Sequence, residues 1–309
     1  AIGVGIGLFI LFIGFANGGL IKSNVPGTLV TVSFPTEPAQ WVFLAGLLIT
    51  IVLYVLRVKA ALVISILLTT VLALIVGVTS IPAGDQLLAT PRFDTLGHFD
   101  LGEVFSVLPL VTALLVIFAI LLTDFFDTMG TVTGVAAEAG LTRPDGSVPG
   151  VGRALLVDSV AAFAGGAAGI SSNTTYIESA AGVADGGRTG MTSVVTGVLF
   201  LVAILLAPIA LIVPAAATAP ALVLVGYLMF TLIKDIPVGD VEEGLPALLT
   251  MILMPLTYDI TVGIGAGFIS WVLIKAVRGK FAEIHWLMWV TAIAFLIFFA
   301  QDWIAGLAA

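Results

Sequence analysis

The interpretation of the whole chain depends on residues 171–190, SSNTTYIESAAGVADGGRTG. This stretch is a polar interruption, with a carboxylate at Glu178, between the strongly apolar segments 154–170 and 191–213. Its first six residues are mostly small, hydroxylated or β-branched, which favours an extended segment that forms hydrogen bonds. The next residues, Thr175-Tyr-Ile-Glu178, fit the capping box with which a helix begins. The stretch therefore predicts an extended piece that ends at a helix N-terminus.

A helix N-terminus of this kind exposes backbone N–H groups. Inside a bilayer such groups are tolerated only where they line a cavity. Broken helices near the bilayer midplane are also where secondary transporters hold their substrates. We therefore predict that residues 171–190 form the rim of a binding site in a membrane.

The composition supports a membrane setting. Of 309 residues, 60% are hydrophobic and 10% are charged, and the mean hydropathy is +1.22. A soluble protein of this size needs far more polar surface, so the chain is interpreted as a polytopic α-helical membrane protein. Cysteine is absent and the two histidines are widely separated, which excludes disulfides, thiolate metal sites and a histidine-based metal site. The net charge of −8 argues against nucleic acid as a partner.

Hydropathy identifies ten candidate spans, of which 244–257 is short and contains two prolines, so that a half-helix or re-entrant element is an alternative there. Residue 1 already lies within an apolar run, and we expect an N-terminal portion to precede it. Basic residues that flank the spans place 81–104 outside the cell and leave the side of the C-terminus open. The ten spans are 2–20, 41–56, 60–79, 105–124, 154–170, 191–213, 217–233, 244–257, 260–277 and 284–303.

Ionisable residues within these spans each cost roughly 2.5–3.5 kcal/mol at the bilayer centre, so each requires an explanation. Asp124 and Asp127 are three residues apart and share one helix face. An interfacial position remains an alternative for Asp124, whereas apolar residues continue after Asp127 and place it below the surface. Asp158 is interpreted as a buried acid that is hydrogen-bonded to neighbouring hydroxyls such as Ser159. At Glu178 the helix dipole favours the anion and burial favours the protonated acid, which suits proton coupling.

The chain resembles the AzgA-type guanine/hypoxanthine/adenine permeases of the nucleobase–cation symporter 2 superfamily. The resemblance rests on DFFDTMGTVTGVAAEAGL at 124–141, on the pattern TxYxESxxGxxxGGRTG at 174–190, and on PALLTMILMPLTYDITVGIGAGFISWVLIK at 246–275. It implies two inverted seven-span repeats, divided into a core domain and a gate domain, with a short strand near 171–176. This chain would then hold about ten spans and lack the first four.

On this scheme residues 1–80 form the first gate part and 81–104 an extracytoplasmic loop. Residues 105–213 form the second half of the core domain with the substrate site, and 217–306 the second gate part. The family count of spans also implies a cytoplasmic C-terminus, which favours the interrupted alternative for 244–257.

The resemblance further implies a multi-pass protein of the plasma membrane that imports purine nucleobases, with the core domain moving against the gate. Asp127 and Glu178 are implied to accept hydrogen bonds from the base and to carry the coupling proton. No cofactor is implied beyond the coupling ion, and the sequence leaves Na⁺, the preferred purine and a homodimer open. The predicted substrate-binding set is Asp127, Glu178, Ile177, Thr128, Thr175, Ser179 and Phe126, of which Phe126 has ordinary packing as an equal alternative.

Two other functions are weighed against transport of a purine. An anion transporter of the same fold would be expected to carry a basic residue or an uncharged helix end in place of Glu178. An intramembrane enzyme would use Asp127 and Glu178 as acid and base. No nucleophile or metal ligand accompanies that pair in the sequence, so we expect no enzymatic activity.

Overall fold

The computed structural model describes residues 1–23, 30–81, 90–91, 93–100, 102–143 and 147–308, and it is dominated by helices. The first part of the chain contains α1 (Ile2–Asn17), β1 (Ile21–Ser23), β2 (Val30–Val32), α2 (Pro38–Val55) and α3 (Ala61–Val76). The middle contains α4 (Glu103–Val107), α5 (Leu110–Glu138), α6 (Val151–Ala167), α7 (Ser179–Ala184), α8 (Gly190–Leu205) and α9 (Ala207–Ala210). The last part contains α10 (Ala215–Phe230), α11 (Val241–Thr257), α12 (Ile260–Val277) and α13 (Trp286–Ala308), with short 3₁₀ turns at Thr231–Asp235 and Phe281–Glu283.

Each of the ten apolar segments predicted from hydropathy overlaps at least one of these helices. Within the described residues, four helices are long and apolar enough to cross a membrane: Pro38–Val55, Leu110–Glu138, Ala215–Asp235 (α10 with its 3₁₀ turn) and Ile260–Val277. Four further apolar helices are shorter, namely Ile2–Asn17, Ala61–Val76, Gly190–Leu205 and Trp286–Ala300. The polytopic helical class is therefore observed, while the count of ten spans stays a prediction.

The structure differs from the predicted fold in two details. The first is an omission, since the antiparallel pair of β1 and β2, in which Ile21 faces Val32, was not predicted; the mostly helical class itself is unaffected. The strand expected near 171–176 is not formed, since these residues lie outside every helix and strand. A strand requires a neighbouring backbone with which to pair, and in the described part of the chain the only sheet is β1–β2.

Helix α11 is continuous over 17 residues in spite of Pro246 and Pro255. At ~1.5 Å per residue it is about 26 Å long, slightly less than a hydrocarbon core. It ends at Tyr258, whose φ of 57° is left-handed, and Asp259 then accepts a 2.7 Å hydrogen bond from the Thr261 amide to cap α12. This junction makes α11 and α12 neighbouring helices of a hairpin.

The chain divides into two compact units. The first unit comprises Ala1–Phe9, Asp94–Ile177 and Met229–Ala309. In it α11 and α12 pack closely, because a Cβ at Gly263 or Gly267 would overlap Thr250 or Met254 of the facing helix. The second unit comprises Ile10–Phe93 and Glu178–Leu228. Its buried apolar cluster joins α2, α3 and α10 through Val42, Phe43, Ala73, Ala216 and Ala219.

These two units do not test the predicted roles of gate and core domain. The division into 1–80, 81–104, 105–213 and 217–306 therefore stays a prediction. Part of the predicted extracytoplasmic loop, including Arg92 and Leu101, lies outside the described residues.

An ion-pair cluster joins the start of α11 to the end of α12 in the first unit. The buried carboxylate of Glu242 contacts Lys275 at 2.8 Å, Lys280 at 2.6 Å and Arg278. Lys275 also contacts Glu283, in the connection to α13, at 2.7 Å. The hydrogen bond from Lys275 holds the pKa of Glu283 below its usual value, because it stabilises the ionised carboxylate.

Candidate functional site

Helix α5 carries both Asp124 and Asp127 well inside its length, because it continues without a break to Glu138. The prediction that the helix extends beyond Asp127 is confirmed. The two acids lie three residues apart on one face, as the spacing requires.

Residues 171–175 lie beside α5 and α6 and are attached to them by their side chains. The Ser172 hydroxyl donates to Asp124 Oδ1 at 2.8 Å, and the Asn173 amide donates to the Ala161 carbonyl at 3.1 Å. Ser172 therefore contacts α5, and Asn173 contacts α6. The segment was predicted to be extended and to form hydrogen bonds, and the hydrogen bonds observed here are made by its side chains.

Asp158 of α6 accepts hydrogen bonds from both α5 and the irregular segment. It is 9% exposed. Its Oδ2 accepts from the Thr128 hydroxyl at 2.8 Å, and its Oδ1 accepts from the Thr175 amide at 3.1 Å and hydroxyl at 3.0 Å. The prediction that Asp158 is a buried acid is confirmed. Its predicted partner Ser159 is wrong, because that hydroxyl donates to the Leu155 carbonyl at 2.8 Å.

A cavity of about 530 Å³ opens between α5, residues 171–172, α12 and α13. Its size is within the usual range of small-molecule sites, and its wall combines four apolar side chains with four hydroxyl groups and two carboxylates. The hydroxyls of Thr123 and Thr261 meet there at 2.7 Å. The lining residues are Val116, Ala119, Ile120, Thr123, Asp124, Asp127, Ser171, Ser172, Thr261 and Phe298.

Of the residues predicted to bind substrate, Asp127 lines this cavity. Thr128 and Thr175 are not among its lining residues, and both hydroxyls donate to Asp158. Ile177 is buried in the same unit. Phe126 packs against Phe268, with ring centroids 5.1 Å apart, so the packing alternative for this aromatic ring agrees with its position.

Glu178 and Ser179 belong to the second unit, where both are exposed. Helix α7 begins at Ser179, so Glu178 immediately precedes the helix and does not lie in its first turn. The predicted capping box is therefore wrong: the Thr175 hydroxyl, which was to cap the helix, donates to Asp158. Joint action of Glu178 and Asp127 stays a prediction.

Sequence reasoning missed several members of the cavity wall. Asp124 could have been included from its spacing to Asp127. Ser171 and Ser172 were noted only as extended polar residues, and no local signal connects Thr261 with Thr123, which is 138 positions away. Among the described residues there is no group of three or more His, Cys, Asp or Glu side chains that could hold a metal ion.

Apolar helices surround a cavity lined by two carboxylates, an arrangement typical of an integral membrane transporter. A family model described as a permease family matches residues 1–266. The chain belongs to this permease family, and it is an integral protein of the plasma membrane.

Several bacterial permeases are similar to the chain over almost its whole length. It is 40% identical over 302 residues to the guanine/hypoxanthine permease PbuG of Bacillus subtilis, which covers 97% of this chain and 67% of the relative. It is 38% identical over 294 residues to the adenine permease AdeP of Escherichia coli, covering 95% and 64%. It is 31% identical over 278 residues to the nucleobase transporter PlAzg2 of Paenibacillus larvae, covering 88% and 53%. The resemblance to purine permeases is thereby confirmed.

Proposed function

We propose that this chain transports purine nucleobases across the plasma membrane in symport with protons. The observation that carries the proposal is the cavity of about 530 Å³ in which Asp124 and Asp127 are set among apolar side chains and hydroxyls. The names of the similar permeases support the same class of substrate.

The chemistry of a purine suits this wall. A purine is a flat, largely apolar ring system whose edge presents ring N–H and, in guanine and adenine, exocyclic amine donors. Ionised carboxylates offer only acceptors, and a carboxylate can take two parallel N–H groups in one plane. Asp127 is proposed to accept from that edge, with Asp124 beside it and the hydroxyls of Ser171 and Ser172 available to carbonyl or ring-nitrogen acceptors.

Coupling to protons is proposed because two carboxylates line one cavity. Two negative charges repel each other strongly where the dielectric constant is low. A proton that enters with the purine would remove this repulsion and leave one ionised acceptor. Glu178, which immediately precedes α7, is proposed to act with Asp127 as a further coupling and binding acid. Movement of the core domain against the gate would expose the site to each side in turn.

Transport of an anion is disfavoured by the same wall, because the carboxylates would repel the substrate. Among the described lining residues no Lys or Arg compensates them.

Uptake of radiolabelled guanine, hypoxanthine and adenine into cells that express the protein tests the proposal. We expect saturable uptake of at least one purine, and we expect a protonophore to abolish accumulation above the external concentration. Glu178→Ala should abolish purine binding while a normal amount of protein reaches the membrane. Wild-type affinity in that variant would exclude Glu178 from the site, and accumulation that resists the protonophore but requires Na⁺ would replace the proton as coupling ion.

A further inference from the structure

The proposed function assigns no role to Asp158, which is buried. It is not among the residues that line the cavity, and its carboxylate oxygens receive three hydrogen bonds from two elements, α5 and the segment 171–175. A buried carboxylate that accepts several hydrogen bonds fixes the positions of the groups that donate them.

The direction of the hydrogen bonds can be worked out from donor counts. Thr128 has one hydroxyl hydrogen, and it is donated to Asp158 Oδ2. The 2.7 Å contact between the hydroxyls of Thr128 and Thr174 therefore has Thr174 as its donor. A single chain results, in which Thr174 donates to Thr128 and Thr128 donates to Asp158. Asp158 is its terminal acceptor, and loss of that acceptor leaves the Thr128 hydroxyl without the group to which it donates.

The segment that these bonds hold carries part of the cavity wall. Because residues 171–175 form neither helix nor strand, their position depends on side-chain contacts and not on a backbone ladder. Thr174 and Thr175 are attached to the Asp158 network, and Asn173 is attached to α6. The next residues toward the N-terminus, Ser172 and Ser171, line the cavity.

We propose that Asp158 is a positioning residue, which holds the segment 171–175 against α5 and α6 and so sets the place of Ser171 and Ser172 in the cavity wall. The structural part of this proposal stands on the hydrogen bonds alone. Its consequence for purine binding rests on the proposed function.

The absence of cysteine from the sequence permits a direct test. In a Ser171→Cys background the single thiol reports the accessibility of the cavity wall through its rate of modification by a small maleimide in membranes. Asp158→Ala removes all three acceptor contacts, Thr175→Val removes one hydroxyl, and Asp158→Asn keeps an amide oxygen that can still accept from Thr175. Ser159→Ala is the matched control, because its hydroxyl bonds only within α6.

We expect Asp158→Ala to change the modification rate by roughly tenfold or more, since a hydrogen bond to a charged group corresponds to at least that factor in an equilibrium. Thr175→Val should act in the same direction and Asp158→Asn should lie between Asp158→Ala and the parent. A purely structural role would lower the amount of protein in the membrane without this graded series. Should Asp158→Ala fail to accumulate, Thr175→Val and Asp158→Asn provide the comparison.

Equal modification rates in all variants and in the Ser159→Ala control would overturn the positioning role. Protection of the thiol by added guanine, hypoxanthine and adenine is measured in the same samples. If no purine protects the thiol in any background while Asp158→Ala still changes its rate, the proposed function is refuted and the positioning role stands. If purines protect the thiol equally well in the Asp158→Ala variant, the consequence for binding is refuted.

Discussion

Replacing Thr128 by valine tests the network at its most buried point. The side chain is fully buried, and its hydroxyl donates to Asp158 at 2.8 Å and accepts from Thr174 at 2.7 Å. Valine has nearly the same shape, so no cavity is created and the change isolates the hydroxyl. The buried carboxylate loses one of its three donors, and the Thr174 hydroxyl loses its acceptor.

The loss of a hydrogen bond to a charged group costs about 1.5–3 kcal/mol. We therefore expect Thr128→Val to destabilise the protein by about this amount and to lower its unfolding temperature in detergent. Thr133→Val on the same helix is the control: its hydroxyl is exposed and donates to the Met129 carbonyl at 2.7 Å, within α5. Surface substitutions of that kind usually change stability by less than about 0.5 kcal/mol.

The measurement is thermal unfolding of purified wild type and both variants in one detergent, followed by purine binding to the folded proteins. An unfolding temperature of Thr128→Val equal to that of Thr133→Val would refute the reasoning. In that case the hydrogen bonds from Thr174 to Thr128 and from Thr128 to Asp158 would not contribute measurably to the stability of the folded protein.

Three further perturbations address coupling, packing and pH. Asp127→Asn should lose proton-driven accumulation while exchange of purine across the membrane persists, and unchanged accumulation would remove Asp127 from the coupling path. Gly267→Ala should cost about 1–3 kcal/mol of stability by overpacking the α11–α12 contact, whereas Gly152→Ala, where a Cβ has open space, should be neutral in the same unfolding assay. The lowered pKa of Glu283, caused by Lys275, means that the unfolded chain binds its proton more readily. The ion pair of Glu283 with Lys275 therefore stabilises the folded protein above the usual carboxyl pKa, and this stabilisation is lost as the pH falls through the lowered pKa. The difference in stability between wild type and Glu283→Gln should vanish in acid. A difference that persists in acid would contradict this role of the ion pair.

Composition and hydropathy were sufficient for the fold class, because a bilayer imposes a local rule. Every crossing backbone must satisfy its own hydrogen bonds, so each apolar segment of sufficient length becomes a helix. The predicted continuation of α5 beyond Asp127 and the burial of Asp158 follow from the same local logic. The motif at 174–190 was sufficient for the family, since its spacing of Glu178 and the GGRTG glycines is specific.

Only the tertiary structure decided how residues 171–178 are held. The capping box between Thr175 and Glu178, the strand at 171–176 and the bond between Asp158 and Ser159 are all short-range patterns, and each was wrong. The partners that replace them are distant in sequence: Thr175 bonds Asp158 across 17 positions, Thr128 bonds Asp158 across 30, and Ser172 bonds Asp124 across 48. Hydroxyl and carboxylate groups accept any partner of suitable geometry, so local sequence cannot select among the candidates. That choice was made by the packing of α5 against α6, which brought Thr128 to Asp158 and left the two serines at the cavity.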